Sequence, residues 1–218
     1  GLHSNIYTGA GDGSFTESGI PLPGVGEGLA DWGDYNNDGY LDFLLAGDRE
    51  DFENSLADVY RNNSDGTFTM QTRIDADGHS LVTGGWGEYN NDGLQDMLLS
   101  GTSPDAQTDL FKNNGNNTFT DMTGIYFEDL RDGDCEWADF NNDGYWDIAL
   151  TGTDRFTTET KVYMNDGNEN FYELTGSYFE PVTVGSIACG DYNDDGYLDF
   201  ILTGRSGDPI TILYENNR

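Results

Sequence analysis

A nine-residue acidic motif recurs four times along the chain, and its regular spacing constrains the fold more than any other feature. The copies are DYNNDGYLD at 34–42, EYNNDGLQD at 88–96, DFNNDGYWD at 139–147 and DYNDDGYLD at 191–199. Successive copies start 54, 51 and 52 residues apart. A period of this length is typical of repeat proteins, in which each repeat forms one supersecondary unit that stacks on its neighbours.

Each motif lies between two segments with strand character. The segment before it ends in an aromatic residue, and the segment after it is strongly apolar and ends in Gly. The preceding segments are 29–35, 83–89, 136–140 and 186–192, and the following segments are 41–47, 95–101, 146–152 and 198–204. Short apolar runs bounded by Asn, Asp and Gly are the pattern of strands joined by turns.

A hairpin completes each unit, with strand-forming ends around a turn rich in Asn, Asp and Gly. The hairpins are VYRNNSDGTFT at 59–69, LFKNNGNNTFT at 110–120 and VYMNDGNENFY at 162–172. No longer segment has the spacing of an amphipathic helix. Four antiparallel strands in about fifty residues correspond to one propeller blade. The sequence therefore predicts an all-β fold, a β-propeller of about four four-stranded blades in a single repeat domain over residues 1–218.

The ends of the chain leave two arrangements open. The predicted blades span 27–72, 81–123, 134–175 and an incomplete 184–218, and a half-blade hairpin, IYTGAGDGSFT, is predicted within 5–17. The propeller is completed either by blades outside this sequence or by strand exchange. In a closed ring, the strand around Phe15 would supply the outer strand that the last blade lacks. Residue 1 is Gly rather than Met, which fits a processed chain or a segment of a longer one.

The charge balance excludes several classes of partner. The chain has 41 acidic and 9 basic side chains, a formal charge of −32. Such a chain repels nucleic acid and anionic membrane surfaces, and no apolar run is long enough to insert into a membrane. Aromatic residues make up 13% of the chain, which favours an ordered fold over disorder. The acid excess requires counter-charge, which divalent cations can supply.

The motif arranges oxygen ligands in a pattern that suits Ca²⁺. Side chains at positions 1, 3, 5 and 9, a backbone carbonyl at position 7 and a Gly at position 6 match a tight loop around a hard cation. Up to four ions are expected, one in each repeat. The predicted ligands are Asp34, Asn36, Asp38, Tyr40, Asp42, Glu88, Asn90, Asp92, Leu94, Asp96, Asp139, Asn141, Asp143, Tyr145, Asp147, Asp191, Asn193, Asp195, Tyr197 and Asp199.

Alternatives to Ca²⁺ fit these loops less well. An EF-hand requires flanking helices and a Glu at position 12, where all four copies have Leu. Zinc would require Cys or His, which no copy contains. A set of simple Asn-Asp-Gly turns does not account for the Asp at position 9 in every copy. The second loop is the weakest prediction, because Glu88 is one methylene longer than Asp.

The motif D-x-N-x-D-G-x-x-D, followed by an apolar strand ending in Gly at this period, resembles the FG-GAP (VCBS-type) repeats of integrin α-chain β-propellers and of many secreted bacterial proteins. The resemblance covers essentially the whole chain. It implies blades around a channel with Ca²⁺ loops on one face, an extracellular or cell-surface location, and binding or adhesion to protein or glycan. Integrin-like propellers usually have seven blades, whereas this chain has about four, so an open or partnered arrangement stays in consideration.

A non-enzymatic, calcium-stabilised binding or adhesion module is the leading expectation, and two alternatives accompany it. One is a structural subunit of an extracellular filament, in which copies of the chain join head-to-tail through strand donation between their ends. The other is a polysaccharide lyase or hydrolase on the same scaffold. Only His3 and His79 are histidines, and no catalytic residue is assigned. Cys135 and Cys189 are expected to be free thiols rather than a bridge.

Two surface features bear on ligand binding. Aromatic pairs recur between blades in TGIYFE at 123–128 and TGSYFE at 175–180, where they either fill the gap between neighbouring blades or stack on sugar rings. Sequons at Asn62 and Asn116 lie on hairpin turns and predict N-glycans there if the source organism glycosylates such sites.

Overall fold

The structure is a series of antiparallel β-sheets. The computed structural model describes residues 1–49, 55–74, 80–102, 106–154 and 156–217, with only the backbone described for 80–82 and 102. Within these ranges every regular element is a strand. No helix in the described residues is long and apolar enough to cross a membrane. His79 lies outside the described residues.

The described residues contain seventeen strands, which form a hairpin and four larger sheets. The N-terminal hairpin consists of β1 (Tyr7–Gly9) and β2 (Phe15–Glu17). Sheet 1 contains β3 (Gly26–Gly33), β4 (Asp42–Asp48), β5 (Ser55–Asn62) and β6 (Phe68–Ile74). Sheet 2 contains β7 (Ser80–Gly87), β8 (Asp96–Thr102), β9 (Ala106–Asn113) and β10 (Phe119–Asp121). Sheet 3 contains β11 (Arg131–Ala138), β12 (Asp147–Thr153), β13 (Thr158–Asn165) and β14 (Phe171–Glu173), and sheet 4 contains β15 (Thr183–Gly190), β16 (Asp199–Ser206) and β17 (Asp208–Tyr214).

The prediction of an all-β fold with four-stranded antiparallel units is confirmed for sheets 1 to 3, and sheet 4 has three strands. In each sheet the strands follow chain order, so every unit is an up-and-down meander. In sheets 1 and 3 the second strand, β4 or β12, is buried along almost its whole length, whereas β16 of sheet 4 is only partly buried. Both faces of β4 and β12 are covered, which explains why their sequences are continuously apolar instead of alternating.

The first strand of each sheet contains a β-bulge near its start. In sheets 1 and 3 this bulge brings the strand close to its neighbour. A Cβ at Gly28 would lie 2.1 Å from the carbonyl oxygen of Ala46, and a Cβ at Gly133 would lie 1.9 Å from that of Thr151. Only glycine permits this approach, because any other residue would overlap the backbone of the second strand.

The hydrophobic cores lie between successive sheets. Strand β3 packs beside β7, β7 beside β11, and β11 beside β15. The three cores are centred on Tyr35, Trp86 and Met97, on Tyr89, Phe127 and Ile148, and on Phe140, Val182 and Phe200. Within the described residues β15 makes no comparable contact with β3, so the sheets form an open series and no closed ring.

A tryptophan packed over a glycine recurs where sheets meet. A Cβ at Gly33 would lie 2.8 Å from Cδ1 of Trp86, and one at Gly87 would lie 2.3 Å from Cε2 of Trp137. Thus the last residue of one first strand lies under the indole of the next sheet. Gly190 holds the same place in sheet 4, and nothing lies within 4 Å of a Cβ built there.

The N-terminal hairpin has the geometry of an outer hairpin. Gly9 pairs with Phe15, as Asn62 pairs with Phe68 in sheet 1. The expectation that the strand around Phe15 supplies the outer strand of sheet 4 is not met within the chain, because β2 pairs with β1 and with no other strand of the described residues. The segment around the hairpin instead contacts sheet 1, where Ile6 packs against the cluster of Phe43, Leu45, Leu56 and Tyr60.

The two residues of each aromatic pair between blades have different surroundings. Phe127 is buried, with its ring 5.2 Å from that of Tyr163 in an edge-on contact, and Phe179 lies 5.3 Å from Tyr214 in the same geometry. Their neighbours Tyr126 and Tyr178 are 71% and 74% exposed. The phenylalanines therefore fill the gap between sheets, while the tyrosines face solvent. Both cysteines are free thiols, one buried and one half-buried.

Candidate functional site

Each acidic motif forms the loop between the first and second strands of one sheet. We name these loops 1 to 4, at residues 34–42, 88–96, 139–147 and 191–199. Because each loop follows the end of a first strand, all four lie at the same end of their sheets. The final Asp of each loop is the first residue of the second strand.

The loops share a tight conformation held by their own side chains. In loop 3, Oδ1 of Asp139 accepts a hydrogen bond from the backbone N–H of Asp143 (3.1 Å), and Oδ2 accepts one from Gly144 (2.9 Å). Oδ1 of Asn141 also accepts from Asp143 (2.9 Å). Gly144 has φ of 88° and Asn142 has φ of 57°. These left-handed conformations suit Gly and Asn, and they turn the chain sharply enough to bring alternate side chains to one side.

The aspartate at position 9 is the deepest ligand candidate of each loop. Its exposure is 0% at Asp42, Asp96 and Asp147, and 1% at Asp199. In all four sheets one carboxylate oxygen accepts the backbone N–H of an asparagine at the end of the third strand or, in sheet 4, two residues beyond it, at 2.7 to 2.8 Å. These asparagines are Asn62, Asn113, Asn165 and Asn216.

Loop 1 differs from the other loops in the hydrogen bonding of the second oxygen of its position-9 carboxylate. In loops 2, 3 and 4 it accepts the N–H of the position-2 residue, at 3.3, 2.9 and 3.2 Å. Oδ2 of Asp42 is buried without a hydrogen-bond partner. A buried, unpaired carboxylate oxygen is energetically costly, and a cation in the loop would remove that cost.

Burial also shapes the electrostatics of these carboxylates. Desolvation raises the pKa of Asp42 to about 6, of Asp96 to about 7 and of Asp147 to about 6. No ion pair between described residues includes any of them; Arg61 pairs with Asp38 (3.2 Å) and acts on Asp42 only from a distance, as Lys112 does on Asp96. The position-9 carboxylates are thus buried groups without a direct ion pair among the described residues.

The donor set fits a hard cation. Each loop offers carboxylates at positions 1, 5 and 9, an amide oxygen at position 3 and a backbone carbonyl at position 7, all of them oxygens. The described residues contain no group of three or more Asp, Glu, His or Cys side chains gathered as a metal site. The carboxylates at positions 1 and 5 are hydrogen-bonded to backbone amides, as Asp38 is to the N–H of Tyr40 (3.1 Å).

Loop 2 reproduces the contacts of the other loops despite its Glu. Oε1 of Glu88 accepts from the N–H of Asp92 (3.2 Å), and Oε2 accepts from Gly93 (2.6 Å). In loop 3, Asp139 accepts from the equivalent amides, those of Asp143 and Gly144. The longer side chain therefore reaches the same backbone groups, and the weaker ion binding expected of this loop stays a prediction.

Neighbouring loops are joined by asparagines that the motif analysis did not assign. At position 4, Nδ2 of Asn91 donates to the carbonyl of Gly144 in the next loop (2.8 Å). Asn37 contacts the carbonyl of Gly93 (2.5 Å) and Asn142 that of Gly196 (2.6 Å) in the same way. The only sequence signal for these contacts is the residue at position 4, which is Asn in loops 1 to 3 and Asp in loop 4.

The two sequons have different surroundings. Nδ2 of Asn62 donates to the carbonyl oxygen of Leu41 (3.0 Å), so a glycan on that nitrogen would compete with a contact inside sheet 1. Asn116 is exposed on its hairpin turn, and its side-chain oxygen accepts the N–H of Thr118 (3.2 Å). Of the two predicted N-glycans, the one at Asn116 is compatible with this geometry.

Comparison with known proteins identifies the repeat. A family model described as an FG-GAP-like repeat matches residues 34–98, 88–150 and 139–202. Each match begins at one acidic loop and runs through the next. A search of curated proteins gave no match. Because the three matches together cover well over half of the chain, this protein belongs to the FG-GAP-like repeat family.

Proposed function

We propose that this protein is a non-enzymatic, calcium-stabilised extracellular module that binds protein or glycan. The observation that carries the proposal is the set of four position-9 aspartates, which are buried at the same place in each sheet. None of them forms a direct ion pair with a basic side chain among the described residues. A divalent cation in each loop would supply the missing positive charge. Four ions would change the formal charge from −32 to about −24.

Calcium would act on the fold and not on a reaction. An ion held by the loop oxygens would fix the turn between the first and second strands, and so the register of the sheet. Sites with several exposed ligands suit the millimolar calcium outside cells, where affinities of about 10⁻⁴ to 10⁻³ M suffice. An extracellular location supports the proposal for this reason.

The ligand-binding part of the proposal rests on Tyr126 and Tyr178. Both lie in connections between one sheet and the next, Tyr126 between β10 and β11 and Tyr178 between β14 and β15. Their rings are 71% and 74% exposed, and the phenylalanine beside each one is packed between sheets. A ring anchored in this way can stack on a sugar face at little entropic cost.

Thermal melting tests the calcium proposal. The melting temperature should rise with millimolar CaCl₂ and fall with chelator, and equal MgCl₂ should have a smaller effect because Mg²⁺ disfavours all-protein cages. A melting temperature that does not respond to Ca²⁺ would overturn the proposal.

Oligosaccharide binding that is weakened by Tyr126→Ala and Tyr178→Ala, but not by Tyr7→Ala on the N-terminal hairpin, would support glycan recognition. Turnover of a polysaccharide, abolished by one substitution, would replace the binding module by an enzyme.

A second candidate is assembly between copies of the chain. The hairpin β1–β2 has the pairing of an outer hairpin, yet Tyr7 and Phe15 are 58% and 71% exposed. Strand β17 is the edge strand of sheet 4. Exposed edges recruit strands from other molecules. Light scattering of the whole chain and of a variant lacking residues 1–17 tests this candidate, since only the whole chain should assemble; a whole chain that stays monomeric with Ca²⁺ would exclude it.

A further inference from the structure

A continuous set of hydrogen bonds links the position-9 aspartates of neighbouring loops. Oδ1 of Asp147 accepts from the backbone N–H of Asn165 (2.8 Å), and Nδ2 of Asn165 donates to the carbonyl of Tyr89 (2.7 Å). The N–H of Tyr89 in turn donates to Oδ2 of Asp96 (3.3 Å). The ligand carboxylates of loops 2 and 3 are therefore three hydrogen bonds apart.

The same path repeats between loops 3 and 4. Asn216 donates its N–H to Asp199 (2.8 Å) and its Nδ2 to the carbonyl of Phe140 (2.8 Å). The N–H of Phe140 then donates to Oδ2 of Asp147 (2.9 Å). We call this repeated path the carboxylate relay. Its members are largely buried, so water competes little for these bonds.

A second link joins the loops on their exposed side. The position-4 asparagine of each of loops 1 to 3 donates to the position-6 glycine carbonyl of the next loop. In the acceptor loop, that glycine immediately precedes the residue whose carbonyl is the position-7 ligand. Movement of the position-7 carbonyl toward an ion would therefore move the peptide that the neighbouring asparagine holds.

We propose that neighbouring calcium loops are coupled, so that an ion in one loop raises the affinity of the next through the carboxylate relay and the position-4 asparagines. This inference rests on the proposed calcium binding. An ion orders the loop that holds it, and the ordered peptides are those to which the adjacent loop is hydrogen-bonded. The adjacent loop then loses less conformational freedom on binding its own ion, which is positive cooperativity.

Electrostatics alone would produce negative cooperativity, in which a bound ion lowers the affinity of the next loop. Each bound ion cancels two negative charges of a strongly acidic chain, so a later ion meets a weaker attractive field. Salt reduces this effect, because exposed charges more than about 10 Å apart are largely screened at 0.1 M ionic strength. A net contribution typical of single hydrogen bonds corresponds to about a two- to tenfold change in the affinity of the neighbouring loop.

Calorimetric titration of the whole chain with CaCl₂ at 0.1 M KCl tests the coupling, with Asn91→Asp as the principal variant. Asp keeps the left-handed backbone (φ 55° at Asn91) but removes the donor to Gly144. The added negative charge by itself would strengthen binding. We expect instead a loss of about two- to tenfold in affinity at the neighbouring loop and a shallower binding curve, with the number of ions unchanged.

Two further variants complete the design. Asn91→Gly removes the donor without adding charge and tolerates the left-handed conformation, so it should weaken coupling in the same way. Asp194→Asn changes charge at position 4 of loop 4, and the steepness of its binding curve should equal that of the unsubstituted chain. Four ions that bind independently, or tighter binding by Asn91→Asp, would overturn the coupling alone. No binding of Ca²⁺ by the unsubstituted chain would overturn the proposed function itself.

Discussion

Nδ2 of Asn165 lies 2.7 Å from the carbonyl oxygen of Tyr89, so the third strand of sheet 3 is hydrogen-bonded to the acidic loop of sheet 2. The same nitrogen donates to the carbonyl of Trp146 in loop 3 (3.1 Å). One buried amide thus holds two acidic loops and two sheets together. Asn113 and Asn216 occupy equivalent positions between the other sheets.

Replacing this amide should loosen the contact between sheets. Asn165→Ala leaves the buried carbonyl oxygen of Tyr89 and the partly buried one of Trp146 without this donor, and we expect a loss of about 1–3 kcal/mol in the free energy of unfolding. Asn62→Ala is the matched control, because Nδ2 of Asn62 donates to Leu41 within its own sheet. Urea denaturation in saturating Ca²⁺ measures both, and an equal loss for the two variants would argue against a role between sheets.

The glycine under Trp137 should not tolerate a methyl group. In Gly87→Ala the new Cβ would lie 2.3 Å from the indole, which would have to move, and overpacking of this kind costs about 1–3 kcal/mol. Gly190→Ala at the same position of sheet 4 meets nothing within 4 Å and should be close to neutral. Thermal melts of the two alanine variants give the comparison; equal melting temperatures would show that the indole moves without cost.

Single loops should each account for one ion. Asp143→Ala removes the position-5 ligand of loop 3 together with its hydrogen bond to the N–H of Tyr145 (2.9 Å). The number of ions per chain should fall by one, and the gain in melting temperature with Ca²⁺ should shrink. Asp92→Ala in loop 2 should have a smaller effect, because the Glu88 loop is expected to bind its ion more weakly. Ion counting by equilibrium dialysis measures both, and an unchanged count for Asp143→Ala would exclude loop 3 as a site.

The carboxyl of Glu136 should make stability depend on pH. Burial, followed by the nearby charges of Asp134 and Asp31, raises the pKa of Glu136 in the folded chain. Its protonated form is therefore favoured by folding, so its contribution is full below the unfolded pKa and is lost as pH rises through the folded pKa. Glu136→Gln should raise the melting temperature at pH 7 but not at pH 4.

The matched control for this pH prediction is Glu17→Gln, on the exposed strand β2. It should leave the melting temperature unchanged at both pH values. Melts of ion-stripped protein in Ca²⁺-free buffer, from pH 4 to pH 8, keep ion binding out of the comparison. A gain of the same size for Glu136→Gln at both ends of this range would contradict the assignment, because a titrating group must lose its effect when it is protonated.

The repeat made much of the fold predictable from sequence. The acidic loops, the apolar second strands and the outer hairpins each carry a local signal, because turn residues and buried strands differ in composition. The first strands were predicted to begin too late. Their early residues include Gly28 and Gly133, which resemble loop residues in sequence, and only the close approach of the second strand explains them.

The contacts between repeats were the part that sequence reasoning missed. The sequence pattern places Asn113 in the Asn-rich turn of its hairpin, but its Nδ2 donates to the carbonyl of Tyr35, 78 residues away. Such pairings depend on how one sheet packs against the next, and local sequence patterns do not indicate that packing. The path of the N-terminal hairpin was missed for the same reason, since Phe15 was considered for sheet 4 and instead pairs within its own hairpin.

The acidic loops and the connections that bear Tyr126 and Tyr178 are different segments of the chain: the loops join the first and second strands of a sheet, and the connections join one sheet to the next. This division has a consequence for how such a protein can diversify. On the proposed function, substitutions in the connections would alter recognition without replacing a proposed ion ligand, while the loops would remain under selection for stability. Related chains could then acquire new specificities by drift in the connections alone, and a laboratory library restricted to 123–126 and 175–178 would explore them on an intact scaffold.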